Sequence, residues 1–400
     1  MPDIIPAIDD CENAEEELSP IITHLALVCV EIALAKYWAS LGVKPSAVIG
    51  HSLGEYAALH IAGVVSASDT IFLVGRRARL LEDSCTMNTH LMLVVRGTLS
   101  EIRNIIPENS YEVACINGER DIVLSGPKGQ MASVMDILKE SGLKCHVLDI
   151  LYAFHSSQVD PILESYEMIA KNGVVFKAPN LPVISPLLSR VIFDDKTINA
   201  GYMSRATRER VDFAGALKAA KNTCIVNEKT VWLEVGPHPV CCAFIRNAFP
   251  TAQFTLPSMC KGEGIWATLA DTMSALHCAG VEIDWNEFNL PFEKSLRLLD
   301  IPTYAWNNKN YWIQYNGDWN LTKGNNTKTA LPTVIQSLKT SSIQQIVEEE
   351  FTKTTARVIM RSDVMHPDFL DAANGHKMNG CGVVTSVSVG RERGGHFFLG

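Results

Sequence analysis

Apolar residues recur along the chain with a period that changes, and the changes mark its elements. From Ser19-Pro20 to about Leu41 they cover nearly every helical face (Leu25, Ala26, Val28, Val30, Ile32, Ala33, Leu34). That pattern predicts a helix packed on a central sheet rather than one lying on the surface. Residues 46–50 are a short apolar run and read as a buried strand. A second helix follows through Ala57-Ala58-Leu59, and a third from Ser68 to about Asp83 presents Arg76 and Arg77. Residues 89–150 change rhythm. Strands are predicted at 91–95, 112–115, 121–125 and 144–150, with helices at 100–106 and 129–141. This β-α-β-β-α-β order is the ferredoxin-like signature. Residues 151–290 return to the rhythm of the larger body. Residues 316–342, rich in Asn, Thr, Lys, Ser and Gly, read as a flexible linker. Beyond it, Ile343, Ile346, Val347, Phe351 and Val358 predict a helix over residues 342–360.

The chemistry concentrates where the first strand ends. Gly50-His51-Ser52-Leu53-Gly54 is a G-x-S-x-G pentapeptide between a strand and an alanine-rich helix, the setting of a nucleophile elbow. Glycines on both sides relieve Cβ clashes in so sharp a turn. The helix beginning at Leu53 aims its free N–H groups and positive dipole end at the reacting centre.

Composition narrows the classes. The 400 residues allow two or three domains, and 47% hydrophobic with 20% charged residues is ordinary for a globular protein. A net charge of −9 without any Lys/Arg block gives no face for nucleic acid. The eleven cysteines are scattered without a C-x-x-C pair, which predicts reduced thiols in a cytoplasmic protein, no disulfide framework and no metal site. The acidic N-terminus is unlike a secretory leader. Glu31 and Lys36 within the first helix argue for burial rather than a membrane span.

About a hundred residues after the elbow stands Tyr152-Ala153-Phe154-His155-Ser156-Ser157-Gln158. GHSLGEY followed at that distance by YAFHS resembles the malonyl-type acyltransferase domain of a polyketide synthase. Ala67-Ser68-Asp69 to Gly75-Arg76-Arg77, Cys115-Ile116-Asn117-Gly118 and Leu233-Glu234-Val235-Gly236-Pro237-His238-Pro239 resemble its fungal, iterative, non-reducing branch. The resemblance covers roughly residues 20–315. It implies an α/β-hydrolase-like body (residues 1–88 and 151–297) carrying an inserted ferredoxin-like subdomain (89–150), then a linker (298–341). A shorter stretch around Asp371-Ala372-Ala373-Asn374-Gly375-His376 resembles the start of a product-template domain, a hotdog-like cyclase that would occupy residues 342–400, with His376 as its catalytic histidine.

By this resemblance Ser52 would take the malonyl unit from malonyl-CoA as an oxygen ester. His155 would act as base for the serine, then for the phosphopantetheine thiol of an acyl carrier protein. Arg77 would grip the free carboxylate of malonate, while Arg76, facing another way, suits a solvated role. Phe154 would narrow the pocket, Leu53 N–H would donate to the oxyanion, and a backbone carbonyl near the Gly236-Pro237-His238 turn would orient His155. His238 itself either contributes to binding or only shapes that turn. The partners implied are the carrier protein, a ketosynthase and other synthase domains, with no bound cofactor, nucleic acid or membrane.

The family's second oxyanion donor comes from a glycine-glutamine-glycine turn ahead of the nucleophile. No glycine precedes Gly42, so the first strand of the body is expected to be missing. Losing one such donor costs roughly 10²–10³ in rate. Two other readings therefore stay open. One is a truncated, catalytically incomplete synthase fragment. The other is a serine hydrolase with an acid such as Asp149 between serine and histidine.

Overall fold

A computed structural model describes residues 19–297, 299–306, 343–352, 355–363, 365–373, 377–378 and 381–382. The chain divides into two compact units, Met1–Leu296 and Arg297–Gly400.

The first unit opens with α1 (Pro20–Ser40), whose Ser19 cap accepts from the Ile22 N–H at 3.4 Å. It buries Leu25, Val28 and Ile32. After it come the two-residue strand β1 (Val48–Ile49), the elbow, α2 (Gly54–Ile61) and α3 (Ala67–Ser84). The Ser66 hydroxyl caps α3 by accepting from the Asp69 N–H at 3.0 Å. Both later helices pack on α1.

The inserted segment follows as β2 (His90–Arg96), α4 (Leu99–Ile105), β3 (Glu112–Gly118), β4 (Asp121–Pro127), α5 (Lys128–Glu140) and β5 (Lys144–Val147). The body resumes with α6 (Leu163–Gly173), β6 (Val183–Ser185), β7 (Arg190–Ile192), α7 (Ala200–Arg208), β8 (Val211–Asp212) and α8 (Phe213–Asn222). It closes with β9 (Trp232–Glu234), α9 (Cys241–Ala248), β10 (Thr255–Pro257), α10 (Ile265–Cys278) and α11 (Trp285–Asn289).

The body's strands form two pieces. One is a three-stranded sheet in the order β1-β6-β7, with β1 and β6 parallel. The other is the parallel pair β9-β10. Among the described residues β1 is therefore an edge strand. The expected missing first strand bears on residues 1–18, which lie outside the described residues.

The inserted strands run in the order β5-β2-β4-β3, antiparallel throughout. Both faces of this sheet are apolar, so its strands read as continuous apolar runs rather than alternating ones. Leu93, Val95, Ile122 and Leu124 face its own helices through Ile102, Met131, Val134 and Leu138. Met92, Ala114, Cys115 and Val123 face the body, against Phe213, Phe244 and Phe249. The sheet does not end with the insert. β3 also pairs in parallel with β8, Cys115 opposite Val211 and Ile116 opposite Asp212.

The second unit departs from expectation. In place of a helix over residues 342–360, β11 (Gln345–Phe351) and β12 (Ala356–Arg361) form an antiparallel hairpin with an irregularity between Ile346 and Glu348. The apolar spacing 343, 346, 347, 351 is helical, but cross-strand pairing of residues 345–351 with 356–361 overrides this local pattern. The turn is set by Thr352, whose N–H donates to the Thr355 carbonyl at 2.7 Å. Helix α12 (Pro367–Ala373) and the short antiparallel pair β13 (Lys377–Met378) and β14 (Cys381–Gly382) follow. His376 lies outside the described residues.

Candidate active site

The elbow is built by local sterics. Ser52 sits in the left-handed region at φ 53°, a conformation an L-residue holds only when its surroundings force it. The force comes from α2 folding back over the turn. A Cβ at position 50 would stand 2.2 Å from Glu55 Cα and 2.6 Å from the Gly54 carbonyl oxygen, so only glycine fits. Gly54 is less constrained, since a Cβ there would meet only Glu31 Oε1 at 3.7 Å. Its N–H and that of Glu55 close onto the His51 and Ser52 carbonyls at 3.0 and 3.1 Å. Among the described residues the Leu53 N–H has no acceptor, which leaves it free for an oxyanion.

Two further motif residues anchor α2 from below. The Tyr202 hydroxyl donates to Glu55 and accepts from the Ser185 hydroxyl at 2.6 Å. Tyr56 and Tyr166 share a hydroxyl contact of 2.6 Å. Burial pushes the Glu55 carboxyl up to about 7, against the opposing effect of the Tyr202 hydrogen bond.

His155 approaches Ser52 from the other side, also in the left-handed region at φ 58°. Its Nδ1 lies 2.8 Å from the Glu209 carbonyl oxygen, which can only accept, so Nδ1 carries the proton. Nε2 is then an acceptor for the Ser52 hydroxyl, 2.8 Å away. This is a serine–histidine dyad oriented by a main-chain carbonyl. The expectation that the carbonyl lies near the 236–238 turn is corrected: it belongs to Glu209, the C-cap of α7. The Glu209 side chain is held by Arg205, Nε to Oε1 at 2.6 Å. Asp149 is exposed, and the His155 Nδ1 that an acid would hold is bonded to the Glu209 carbonyl instead. A nucleophile-acid-histidine triad is therefore not assembled.

The imidazole is deeply buried, at 3% exposure. Burial pushes its pKa down to about 3, the Arg77 charge pushes the same way, and the Glu209 hydrogen bond opposes both. The resting histidine is thus neutral and able to accept a proton.

The loop that carries it is pinned by Gln158. Its Oε1 accepts from the Ala153 N–H at 2.6 Å, and its Nε2 donates to the Thr86 carbonyl at 2.8 Å and to the Thr89 hydroxyl at 3.1 Å.

Arg77 lies on the apolar stripe of α3, in register with Thr70, Leu73, Val74, Ala78 and Leu81, and is 4% exposed. Among the described residues no carboxylate pairs with it, and its Nε has no hydrogen-bond partner. Its guanidinium lies 5.4 Å from the ring centroids of Tyr56 and Phe154. A buried unpaired cation is costly and calls for an anion. Arg76 is exposed, as expected. Beside Arg77, the His24 ring packs 5.6 Å from Phe154 with its Nδ1 buried and unpartnered. Burial, then the Arg77 charge, pushes His24 down to about 3.

Ser52, His155 and Phe154 open onto a cavity of about 840 Å³ walled by Met92, Val94 and Val123 of the inserted sheet. His51 shares this cavity. Its Nε2–H donates to Asn117 Oδ1 at 2.8 Å, and its ring packs against Phe213 and Phe244, which also touch each other. Burial holds His51 below the ordinary imidazole range, although the Asn117 bond opposes this. His238 is not brought to the cavity. It is exposed, and its Nδ1 accepts from the Lys261 N–H at 3.3 Å. Its neighbours Pro239 and Val240 line the cavity.

Ser52, His155, Phe154 and Arg77 were all legible as candidates. Glu209, Gln158 and the His51–Asn117 pair were not singled out. Asn117 and Gln158 both stand inside noted motifs, but Glu209 acts through its main chain and leaves no side-chain signal.

The site thus pairs a serine hydroxyl with a neutral imidazole held by a main-chain carbonyl, in a cleft walled by the inserted sheet. The chain belongs to the acyl transferase domain family, which it matches over residues 12–283. It is 54% identical over 392 residues to the atrochrysone carboxylic acid synthase of Passalora fulva. It is 52% identical over 396 residues to a non-reducing polyketide synthase of Pseudocercospora fijiensis. Both alignments take in 96% of this chain but 22% of the relative, so the chain spans about a fifth of their length. Among solved structures, the acyltransferase domain from the second module of the salinomycin polyketide synthase is 29% identical, with a TM-score of 0.65. That match covers 74% of this chain and 69% of the other.

Proposed function

We propose that this chain is the acyltransferase segment of a fungal non-reducing polyketide synthase, and that it loads malonyl units onto a carrier protein. Ser52 Oγ attacks the thioester carbonyl of malonyl-CoA while His155 Nε2 takes the hydroxyl proton. The oxyanion receives the Leu53 N–H. Collapse expels the CoA thiol, which leaves with the proton from His155, and the malonyl group remains as a Ser52 ester. The phosphopantetheine thiol of the carrier then gives its proton to His155, attacks the ester and departs as malonyl thioester, and the proton returns to Ser52.

The observation that carries the malonyl assignment is Arg77, a buried guanidinium with no carboxylate of its own. The free carboxylate of a malonyl unit supplies the missing anion as a bidentate partner. Phe154, stacked over that guanidinium, bounds the space beside the acyl α-carbon. The inserted segment is read as a ferredoxin-like subdomain. Residues 298–341 are read as a linker and residues 342–400, on sequence resemblance alone, as the opening of a product-template domain with His376 as its catalytic histidine. A ketosynthase and further synthase domains would be its partners.

The test compares acyl-enzyme formation from labelled malonyl-CoA and acetyl-CoA. The wild type is expected to take malonyl, Ser52→Ala to take neither, and Arg77→Ala to lose malonyl selectively so that the two donors become comparable. Equal labelling of Arg77→Ala and wild type by malonyl-CoA would overturn the carboxylate clamp. Labelling of Ser52→Ala would overturn the nucleophile.

A further inference from the structure

The inserted sheet does more than roof the cleft. Its strand β3 begins with Glu112, whose Oε1 accepts from the Ser157 N–H at 2.8 Å and from the Ser157 hydroxyl at 2.7 Å. Its Oε2 pairs with Arg208 at 2.7 Å, and Arg208 pairs in turn with Asp160. Ser157 lies two residues after His155, and Arg208 is the residue before Glu209. Three and four residues further along, β3 pairs with β8, which begins two residues after Glu209, Cys115 opposite Val211 and Ile116 opposite Asp212. One strand of the insert therefore holds the chain just past His155 and the chain on both sides of the carbonyl that orients it. Two 2.8 Å contacts of a single imidazole leave little tolerance, and His155 is held at a positive φ that its surroundings must enforce.

We propose that Glu112 is a positioning residue for His155, acting through Ser157 and Arg208, so that the inserted segment sets the alignment of the catalytic base. This rests on the acyl-transfer reading of the dyad. Glu112 touches no reacting atom. It fixes the distance between two loops that have to meet at the imidazole, and a displacement of about 1 Å at such a point costs up to roughly 10² in rate.

The test uses the full chain with two readouts. The first is the single-turnover rate of Ser52 acylation over a range of malonyl-CoA concentrations. The second is the side-chain 15N–1H signal of His155 Nδ1–H, assigned by its loss in His155→Ala, with its solvent-exchange rate. Glu112→Ala is expected to slow acylation about 10-fold at saturation with half-saturation unchanged, and to speed Nδ1–H exchange. Glu112→Gln, which keeps an acceptor oxygen for Ser157, is expected to recover most of both. Arg208→Ala combined with Glu112→Ala is expected to be no worse than Glu112→Ala alone, because the two share one path. Glu228→Ala removes the Lys221 ion pair elsewhere on the body and is expected to change neither readout.

A folded Glu112→Ala with wild-type rate and wild-type exchange overturns the proposal, as does a loss confined to half-saturation. If Glu112→Ala does not fold, Arg208→Lys, which keeps the charge and loses the fork, decides by the same two readouts. The imidazole signal reports on the brace whether or not acyl transfer occurs. A wild type that shows the signal and takes no label sinks the transfer reading alone.

Discussion

Ser52 and His155 meet at 2.8 Å but are placed by different means. The serine is set within six residues: Gly50 because no Cβ fits under Glu55, the left-handed turn, and the first bonds of α2. The histidine is set from a distance. Its ring is held by Glu209, its loop by Gln158 reaching Thr86 and Thr89, and the next turn by Glu112. A nucleophile elbow is therefore a local device, whereas the base is a product of the whole body and its insert. Changes near the elbow should act abruptly, and changes around the base by degrees.

The largest effect is expected from Gly50→Ala. The added methyl collides with backbone atoms, which cannot swing aside as a side chain does. Overpacking of this kind costs about 1–3 kcal/mol or more. A lowered urea midpoint and an acylation rate down at least about 100-fold should appear together. Near-wild-type values for both would mean that the elbow is looser than the geometry shows.

The histidines give the next effect through pH. His155 and His24 are both pushed to about 3 in the folded protein, against about 6.5 when unfolded. Between these values the unfolded chain binds more protons, so stability falls as pH drops from 6.5 toward 3. Each such histidine contributes a slope of about 1.4 kcal/mol per pH unit in that window. Urea midpoints of the wild type and of His24→Gln between pH 7 and 4.5 test this. The variant should lose less stability on acidification, and parallel curves would contradict the assignment.

Gln158→Ala should fall between the extremes. It leaves the buried Ala153 N–H without an acceptor, a cost of about 1–3 kcal/mol, and should slow acylation only severalfold because Glu209 still orients the ring. The smallest effect is expected in the insert away from β3. Thr98 caps α4 in a reciprocal capping box with Glu101. Thr98→Ala should cost about 1 kcal/mol and leave the acylation rate untouched; a slowed rate would extend the brace beyond β3.

The same contrast explains what could be read from the sequence. The elbow is legible because its determinants are contiguous: apolar strand, glycine, serine, helix. Arg77 is legible only through the family resemblance, which implies a carboxylate-gripping arginine there; the structure then places it on the buried stripe 70, 73, 74, 77, 78, 81. The antiparallel insert is visible because each of its strands is a distinct apolar run bounded by turns. Glu209 is invisible, because any residue supplies a carbonyl and only the fold of α7 brings this one to His155. The turn at 236–238, the expected source of that carbonyl, instead contributes Pro239 and Val240 to the cavity wall. The hairpin at residues 345–361 is not legible for a simpler reason: its first half, with apolar residues at 343, 346, 347 and 351, keeps helical spacing, and only pairing with residues 356–361 makes it a strand.

The most direct test of the account is to locate the acyl group. The full chain would be mixed with malonyl-CoA, quenched in acid within milliseconds, digested and read by peptide mass spectrometry, with His155→Ala alongside. The account requires malonyl on the peptide bearing Ser52 in the wild type, accumulating far more slowly in His155→Ala. Malonyl on another residue, or equal rates in both proteins, would contradict it.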